Sequence, residues 1–261
     1  MERESVMRKR KYPILEFDPS KKAIIEASNF IRKVENWEHG IICFFKDVVE
    51  KIAESTGAEK MYEDKGVYGT NPFYRMEYRG CPIVFFFPLM GASVSAAFLE
   101  LAIGLGGRKF IACGSSGVLD RSIPRGGFVV PSAAVRDEGT SYHYREPSRE
   151  IDVNKKAIKA ITTVFESHHE SYRTGKVWTT DGLFRETASR IALRKKEGCL
   201  AVEMEAAALL AVAQFRRVKL GYILTGGDDV SGKEWDTRGE NLRLPTRERL
   251  FWLSVEACLK L

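Results

Sequence analysis

The sequence predicts an α/β fold in which helices cover both faces of a mainly parallel or mixed central sheet. The prediction depends on the alternation of short apolar runs with longer helical patterns along the 261 residues, because sheets whose strands are connected by helices have this pattern. The run Lys109–Cys113 is apolar after its first residue, as strands buried on both faces are. The chain has no internal repeat and no low-complexity linker, so we interpret it as a single domain.

Strands are predicted where β-branched and aromatic residues cluster between turn residues. In chain order these segments are Gly40–Phe45, Phe73–Tyr78, Pro82–Phe87, Lys109–Cys113, Gly127–Val130, Ala133–Arg136, Lys176–Thr180, Leu200–Glu203 and Val218–Thr225. The Arg79–Gly80 pair is the expected turn between the second and third of these segments.

Helices are predicted from apolar residues at helical spacing or from runs of helix-forming residues. In chain order they are Lys46–Ser55, Ser93–Leu105, Asn154–His168, Glu186–Lys196, Glu205–Gln214 and Thr246–Lys260. The third of these is amphipathic, and the fifth is rich in alanine.

The composition excludes several classes of protein. Hydrophobic residues make up 44% of the chain and charged residues 29%, as in globular proteins and unlike disordered ones. The net charge is +6, and Met1–Lys11, with five basic and two acidic residues, carries half of it, so we predict no nucleic-acid partner. Ile83–Gly107 carries a single charge, on Glu100, but proline, glycine and serine interrupt it, and we predict no membrane span.

The cysteines and histidines indicate neither a disulfide framework nor a metal site. The five cysteines lie far apart in the sequence, without a C-x-x-C pair, which favours free thiols and a cytoplasmic location. The four histidines lack metal-ligand spacing with Cys, Asp or Glu, and we therefore predict no metal.

Polar residues follow several of the predicted strands, and the ligand of an open α/β sheet binds beyond the carboxyl ends of its strands. The segments at these ends are Gly114–Gly117, Thr180–Glu186, Glu203–Glu205 and Gly226–Asp229. We expect the functional site where these four segments meet.

The segment Gly114-Ser115-Ser116-Gly117 has two interpretations. Its glycines permit a close approach of the backbone, and its hydroxyls add donors, so it is able to hold a small anion or a sugar oxygen. The same residues also fit a tight turn after a strand, without any ligand.

The acidic residues at two other strand ends are equally open to two interpretations. Glu205 either complements the positive end of the following helix or accepts hydrogen bonds from the two hydroxyls of a ribose. Asp228 either belongs to a turn or a helix cap, or acts as a general acid at a nitrogen of the substrate.

Three stretches together resemble the nucleoside phosphorylases of the purine-nucleoside and uridine phosphorylase type. They are Cys113–Leu119, Gly126–Tyr144, and Ala201–Leu209 followed by Leu224–Asp229. The resemblance implies a three-layer α/β/α sandwich with a mixed, partly barrel-like central sheet, here with an N-terminal extension over residues 1–37. It also implies a homo-oligomer, a dimer or a hexamer, and cleavage of an N-glycosidic bond by inorganic phosphate with no other cofactor.

The resemblance also implies a role for individual residues. Glu205 and Asp228 are the catalytic residues, and the ribose is bound by Glu203, Met204 and Glu205. Phosphate is bound by Gly114 and Ser115. The base is bound by Leu183, Phe184, Arg185 and Asp228.

The sequence departs from the family pattern at the phosphate site. The positions where the family has phosphate-binding arginines are Val48, Gly69 and Ala112 here. A phosphate dianion held by one serine and backbone donors is poorly compensated, because charged partners form the strong hydrogen bonds to such an anion. Phosphorolysis, hydrolysis of the same bond by water, and nucleoside binding without turnover therefore all stay open.

The base is also left open by the sequence. The segment Val135–Tyr144 is more similar to the uridine branch of the family and predicts a uridine-like substrate, whereas Asp228 favours a purine.

Overall fold

The computed structural model describes residues 9–67, 69–239 and 244–261. The strands are β1 His39–Cys43, β2 Glu59–Gly66, β3 Gly69–Tyr78, β4 Cys81–Phe86, β5 Lys109–Val118, β6 Phe128–Asp137, β7 Glu150–Asp152, β8 Tyr172–Thr180, β9 Cys199–Glu203 and β10 Lys219–Asp229. The helices are α1 Lys46–Thr56, α2 Ala92–Leu105, α3 Lys155–Ser167, α4 Ala188–Lys196, α5 Ala206–Arg216 and α6 Leu244–Leu259. No helix within these residues is long and apolar enough to cross a bilayer.

The strands form one mixed sheet that closes on itself at one end. Its order is β10-β6-β8-β9-β5-β1-β4-β3-β2, with β7 beside β6. Because β10 pairs with β5 as well as with β6, the strands β10, β6, β8, β9 and β5 form a closed barrel. The predicted mixed, partly barrel-like sheet is confirmed.

Helices cover both faces of the sheet, as predicted for a three-layer α/β/α sandwich. Along β1, Ile41 and Cys43 join the core cluster formed with α1, α3 and α6, whereas Ile42 joins the cluster formed with α2 and α5. This alternation follows from the two-residue period of a strand. Gly40 lacks a side chain where a β-carbon would lie 2.6 Å from the ring of Phe110.

The described part of the N-terminal extension packs on α2. Ile31 and Trp37 are buried, and the indole Nε1 of Trp37 donates to the carbonyl of Leu105 at 3.1 Å. Gly104 allows this contact, because a β-carbon there would lie 2.6 Å from Cδ1 of Ile31. The first eight residues of the predicted extension lie outside the described residues.

Several predicted strand boundaries are wrong in an informative way. β5 continues five residues beyond Cys113, to Val118, because Gly114–Ser116 pair with β10, and the segment Gly114–Gly117 is therefore strand and not loop. β10 likewise runs on to Asp229, and the two predicted pieces at residues 127–136 form the single strand β6. β2 and β7 were not predicted, since they are polar edge strands whose sequences show no strand period.

Candidate active site

Most of the predicted site residues line one inner cavity of about 290 Å³. It lies where the ends of β1, β4, β8, β9 and β10 approach the last residues of β5. The predicted residues in its wall are Gly114, Ser115, Leu183, Glu203, Met204, Glu205 and Asp228. The expectation that the four strand-end segments meet is therefore confirmed, while the roles of the individual residues stay predictions.

The side chain of Glu203 is fixed by three hydrogen bonds within the protein. Its Oε2 accepts hydrogen bonds from the backbone N–H of Glu205 at 2.8 Å and of Ala206 at 2.6 Å, at the start of α5. Its Oε1 accepts from the hydroxyl of Thr179 in β8. Burial, followed by the charge of Glu205, raises the pKa of Glu203, while these hydrogen bonds act in the opposite direction. Glu203, and not Glu205, is thus the carboxylate that complements the positive end of the helix.

Glu205 is turned away from the helix that it precedes. It is only 5% exposed, and its Oε1 accepts a hydrogen bond from the backbone N–H of Gly91, at the start of α2, at 2.6 Å. Burial raises the pKa of Glu205, and the N–H groups of Gly91 and Met204 oppose that shift. Within residues 9–67, 69–239 and 244–261, no Lys, Arg or His forms an ion pair with Glu203 or Glu205. A buried acid without a cation, beside a cavity, is typical of a ligand site.

The two adjacent aspartates at the end of β10 have different surroundings. Asp229 is 1% exposed and pairs with Arg121 and Arg238 at 3.1 and 3.0 Å. Burial alone would raise the pKa of Asp229, but hydrogen bonds from Ser231, Arg238 and Arg121 lower it to about 2. Asp228 instead lines the cavity, and its Oδ2 accepts from the indole N–H of Trp235 at 2.7 Å. Asp229 is therefore the structural residue, and Asp228 is the one available to a ligand.

The two serines of β5 also differ. The hydroxyl of Ser116 is buried and donates to the carbonyl of Thr225 at 3.2 Å. Ser115 points into open space and lines both the inner cavity and a larger outer chamber of about 950 Å³. Of the two hydroxyls, that of Ser115 is accessible to an anion.

The outer chamber contributes positive charge to this region. It shares Phe44, Ser115, Leu183 and Asp228 with the inner cavity and adds Arg125 and Arg247. Arg247 pairs with Asp47 at 2.7 Å. Arg125 donates to the carbonyl of Arg238 and has no acidic partner within the part of the chain that the structure describes.

The three positions predicted to correspond to the family arginines line neither the inner cavity nor the outer chamber. Val48 and Ala112 are fully buried in the two main core clusters. Gly69 lies at the turn between β2 and β3, with φ at +97°. Because they are packed in the core, the side chains of Val48 and Ala112 do not reach the cavity.

Two of the predicted base-binding residues lie outside the inner cavity. Phe184 is 94% exposed, and Arg185 is exposed at the end of the short turn Leu183–Arg185. Neither lines the inner cavity or the outer chamber. Their roles stay predictions.

Sequence reasoning missed several residues in the cavity wall, namely Phe44, Phe87, Met90, Val202 and Tyr222, whereas Glu186 lies in the expected segment Thr180–Glu186. Phe44 and Phe87 directly follow β1 and β4, which are parallel to each other, so the strand-end rule applied to those strands would have found them. Glu186 was assigned to the start of a polar helix, although α4 begins at Ala188.

The sequence profile of the phosphorylase superfamily matches residues 38–245. The chain belongs to this superfamily. The sequence-based resemblance is thus confirmed, as is the prediction of an enzyme of the nucleoside phosphorylase kind, a pentosyltransferase.

Individual relatives differ in what their names say. Guanosine phosphorylase from Halorubrum lacusprofundi is 25% identical over 190 residues, which are 71% of this chain and 76% of that protein. Uridine phosphorylase from Vibrio fischeri has a TM-score of 0.71 and 22% identity, covering 91% of this chain and 95% of its own. AMP nucleosidase from Bacteroides thetaiotaomicron has a TM-score of 0.68 and 22% identity, with coverages of 87% and 89%. The two structures share the fold with this chain, and neither determines its substrate.

Proposed function

We propose that the protein cleaves the N-glycosidic bond of a nucleoside by phosphorolysis, releasing the free base and ribose 1-phosphate. The observation that carries the proposal is Glu205, a buried carboxylate in the cavity wall that has no ion pair with a cation among the described residues. Such a group is stabilised when ligand hydroxyls donate to it, and a ribose supplies two adjacent hydroxyls.

The proposed reaction develops charge at both ends of the bond that breaks. An oxygen of phosphate attacks C1′, and the electron pair of the C1′–N bond moves to the base. In the transition state, before the C1′–O bond is complete, positive charge develops on the sugar, where the carboxylate of Glu205 stabilises it, while Met204 supplies apolar contact. We assign to Asp228, in the cavity wall, the donation of a hydrogen bond or a proton to the departing base.

The position of Ser115 supports phosphate as the nucleophile. Ser115 lies in the wall shared by the cavity and the outer chamber, and the chamber holds Arg125 and Arg247. These cations come from segments other than those that carry the family arginines, and either one compensates a dianion better than backbone donors do.

Hydrolysis by water is the second candidate. The resemblance supports it, because arginine is absent from the aligned positions Val48, Gly69 and Ala112; against it, Val48 also lacks the acidic group with which hydrolytic relatives activate water. Water needs no anion site.

The identity of the base is the most specific part of the proposal. The uridine-like preference was predicted from Val135–Tyr144, and no residue of this segment lines the inner cavity. Asp228 as a donor to a ring nitrogen, and Glu186 as an acceptor for an N–H of the base, both favour a purine. We therefore propose a purine nucleoside first and a uridine-like nucleoside second.

The proposal is tested by incubating the protein with guanosine, inosine, adenosine or uridine, with and without phosphate. Chromatography then measures the release of the free base. Release that depends on phosphate supports phosphorolysis, and release without phosphate supports hydrolysis. Binding of a nucleoside without any release would leave a nucleoside-binding protein and contradict both.

A substitution in the outer chamber sharpens the same test. We expect Arg125→Ala to raise the KM for phosphate about tenfold and to leave the KM for the nucleoside unchanged. Arg79→Ala, a change of a remote ion pair with Glu256, is the matched control. An unchanged KM for phosphate would place the anion elsewhere.

We also propose that the protein forms a homo-oligomer, either a dimer or a hexamer, and that it is located in the cytoplasm. Sedimentation of the purified protein tests the first, and fractionation of cells tests the second.

A further inference from the structure

Another cavity, of about 610 Å³, lies between the N-terminal extension and the helices α2 and α5. We call it the extension cavity, because the stretch from Asp18 to Phe30 forms much of its wall. It shares no residue with the inner cavity or the outer chamber. Its volume lies within the range of about 300–1,000 Å³ that is usual for small-molecule sites.

Two hydrogen bonds fasten the extension to the end of α5 at this cavity. Nη1 of Arg216 donates to the carbonyl of Lys21 at 3.1 Å, and the ammonium group of Lys21 donates to the carbonyl of Phe215 at 3.3 Å. The same ammonium group lies 3.5 Å from the centre of the Phe215 ring. Lys21 is therefore held in the wall by contacts that leave its charge without a carboxylate.

Lys21 belongs to a group of cations without acidic partners. Arg145 and Arg217 directly follow the wall residues Tyr144 and Arg216, and among the described residues neither they nor Lys21 form an ion pair. Burial, and then the charges of Arg217, Arg216 and Arg145, lower the pKa of Lys21. These cations repel one another, and an anion bound among them would relieve the repulsion.

The acids of the same wall leave these cations available to a ligand. Each acid accepts a hydrogen bond from elsewhere in the protein, namely Asp18 from Ser20, Glu26 from Ala23, Asp64 from Tyr62 and Glu100 from Arg216. None of the four pairs with Lys21, Arg145 or Arg217.

Apolar side chains form another part of the wall. The ring of Phe30 is 68% exposed and lines the cavity together with Ile25 of the extension and Leu101 of α2. An exposed aromatic ring stacks on the flat face of any nucleic-acid base.

We propose that the extension cavity is a nucleotide-binding site, in which a nucleoside di- or triphosphate places its phosphates among Lys21, Arg145 and Arg217 and its base against Phe30. Phosphate oxygens supply the charge-assisted hydrogen bonds that these cations lack. Only a ligand with both an anionic part and a flat apolar part uses both kinds of wall. The inference goes beyond the proposed function, because this cavity is separate from the candidate active site.

Isothermal titration calorimetry of the full chain with ATP, in the absence of divalent metal ions, tests the inference. We expect saturable binding to the wild type. Lys21→Gln removes the charge but keeps a donor for the carbonyl of Phe215, and we expect the Kd for ATP to rise about tenfold. Phe30→Ala should raise the Kd for ATP about tenfold as well, while the weaker binding of tripolyphosphate, which has no base, should not change.

Two further variants serve as controls and should keep the wild-type Kd for ATP. Lys33→Gln changes a lysine of the same extension that pairs with Glu35 outside the cavity, and it is the matched control for Lys21→Gln. Arg125→Ala changes the outer chamber and separates binding at the extension cavity from binding at the candidate active site.

The absence of ATP binding by the wild type would overturn the inference. An unchanged Kd in Lys21→Gln would do the same, as would a loss of ATP binding in Arg125→Ala, which would place the nucleotide in the outer chamber. Tripolyphosphate that binds as tightly as ATP would reduce the site to an attraction between charges. None of these results bears on the proposed function, which the release of base tests separately.

Discussion

The four carboxyl groups in the cavity wall, Glu186, Glu203, Glu205 and Asp228, differ in where their hydrogen-bond donors come from. At the start of α5, Glu203 and Glu205 receive donors from the backbone and from Thr179. At the other end, Asp228 has one donor, from Trp235, and Glu186 has none within the part of the chain that the structure describes.

Glu203 and Glu205 are therefore oriented before a ligand binds, whereas Asp228 and Glu186 depend more on hydrogen-bond donors from the ligand. A carboxylate that is already oriented by backbone N–H groups is ready to stabilise charge without rearranging. A carboxylate that lacks partners gains most from a ligand that supplies the donors, and it therefore discriminates between ligands. We expect substitutions of Glu203 and Glu205 to affect stability or turnover, and a substitution of Glu186 to affect mainly the choice of base.

The largest expected effect is that of Glu205→Ala on turnover. The change removes the proposed acceptor for the ribose hydroxyls, and we expect kcat/KM to fall at least about 100-fold. Cooperative unfolding should be retained, because the change only leaves the backbone N–H groups of Gly91 and Met204 without this acceptor. Near-normal turnover with a normal melting curve would remove Glu205 from the site.

Glu203→Ala should act mainly on stability. The change deprives the backbone N–H groups of Glu205 and Ala206 and the hydroxyl of Thr179 of their acceptor. We expect the free energy of unfolding in urea to fall by about 1–3 kcal/mol, with Glu203→Gln between wild type and Glu203→Ala. A loss of turnover at unchanged stability would assign Glu203 to the chemistry instead.

Asp228→Asn tests the acid at the base end. An amide in place of the carboxyl group cannot supply a proton, and we expect kcat to fall about 10- to 100-fold, with little change in the melting temperature. Trp235→Phe, which removes only the N–H that Asp228 accepts, is the milder comparison. Equal kcat values for Asp228→Asn and wild type would leave Asp228 a turn residue.

The smallest effect concerns the pH dependence of stability. Burial raises the pKa of Glu205 above the ordinary value of 4.5, so the folded state binds a proton that the unfolded chain has already released. The free energy of unfolding should therefore fall as pH rises from 4.5 through the raised pKa. Urea titrations of Glu205→Gln should show a shallower slope in this window, and an identical slope would mean that Glu205 is charged throughout.

The pKa of Asp229 is shifted in the opposite direction to that of Glu205, so its contribution to stability changes with pH in the opposite sense. Its pKa is lowered to about 2 from 3.8, so its contribution to stability is present above 3.8 and is lost as pH falls toward 2. Stability measured between these pH values should decrease on acidification in Glu205→Gln and wild type alike.

Much of the fold could be predicted from local patterns. The apolar runs and the alanine-rich stretch locate β1, β5, β9 and α5 to within a few residues at most ends, because the burial of apolar side chains depends mainly on residue type and period. The polar strand β2 was missed, since its pairing with β3 and not its own composition makes it a strand.

The sequence by itself determined the family, the alternation of strands and helices, and the segments that meet at the cavity. The family resemblance had already pointed to Ser115, Glu205 and Asp228. Only the tertiary structure showed the physical difference, because Ser116, Glu203 and Asp229 are held by hydrogen bonds or ion pairs within the protein. Neighbouring residues of the same type are chemically alike along the chain. Their difference arises from what other segments bring near them, such as Thr179 to Glu203 or Arg121 to Asp229.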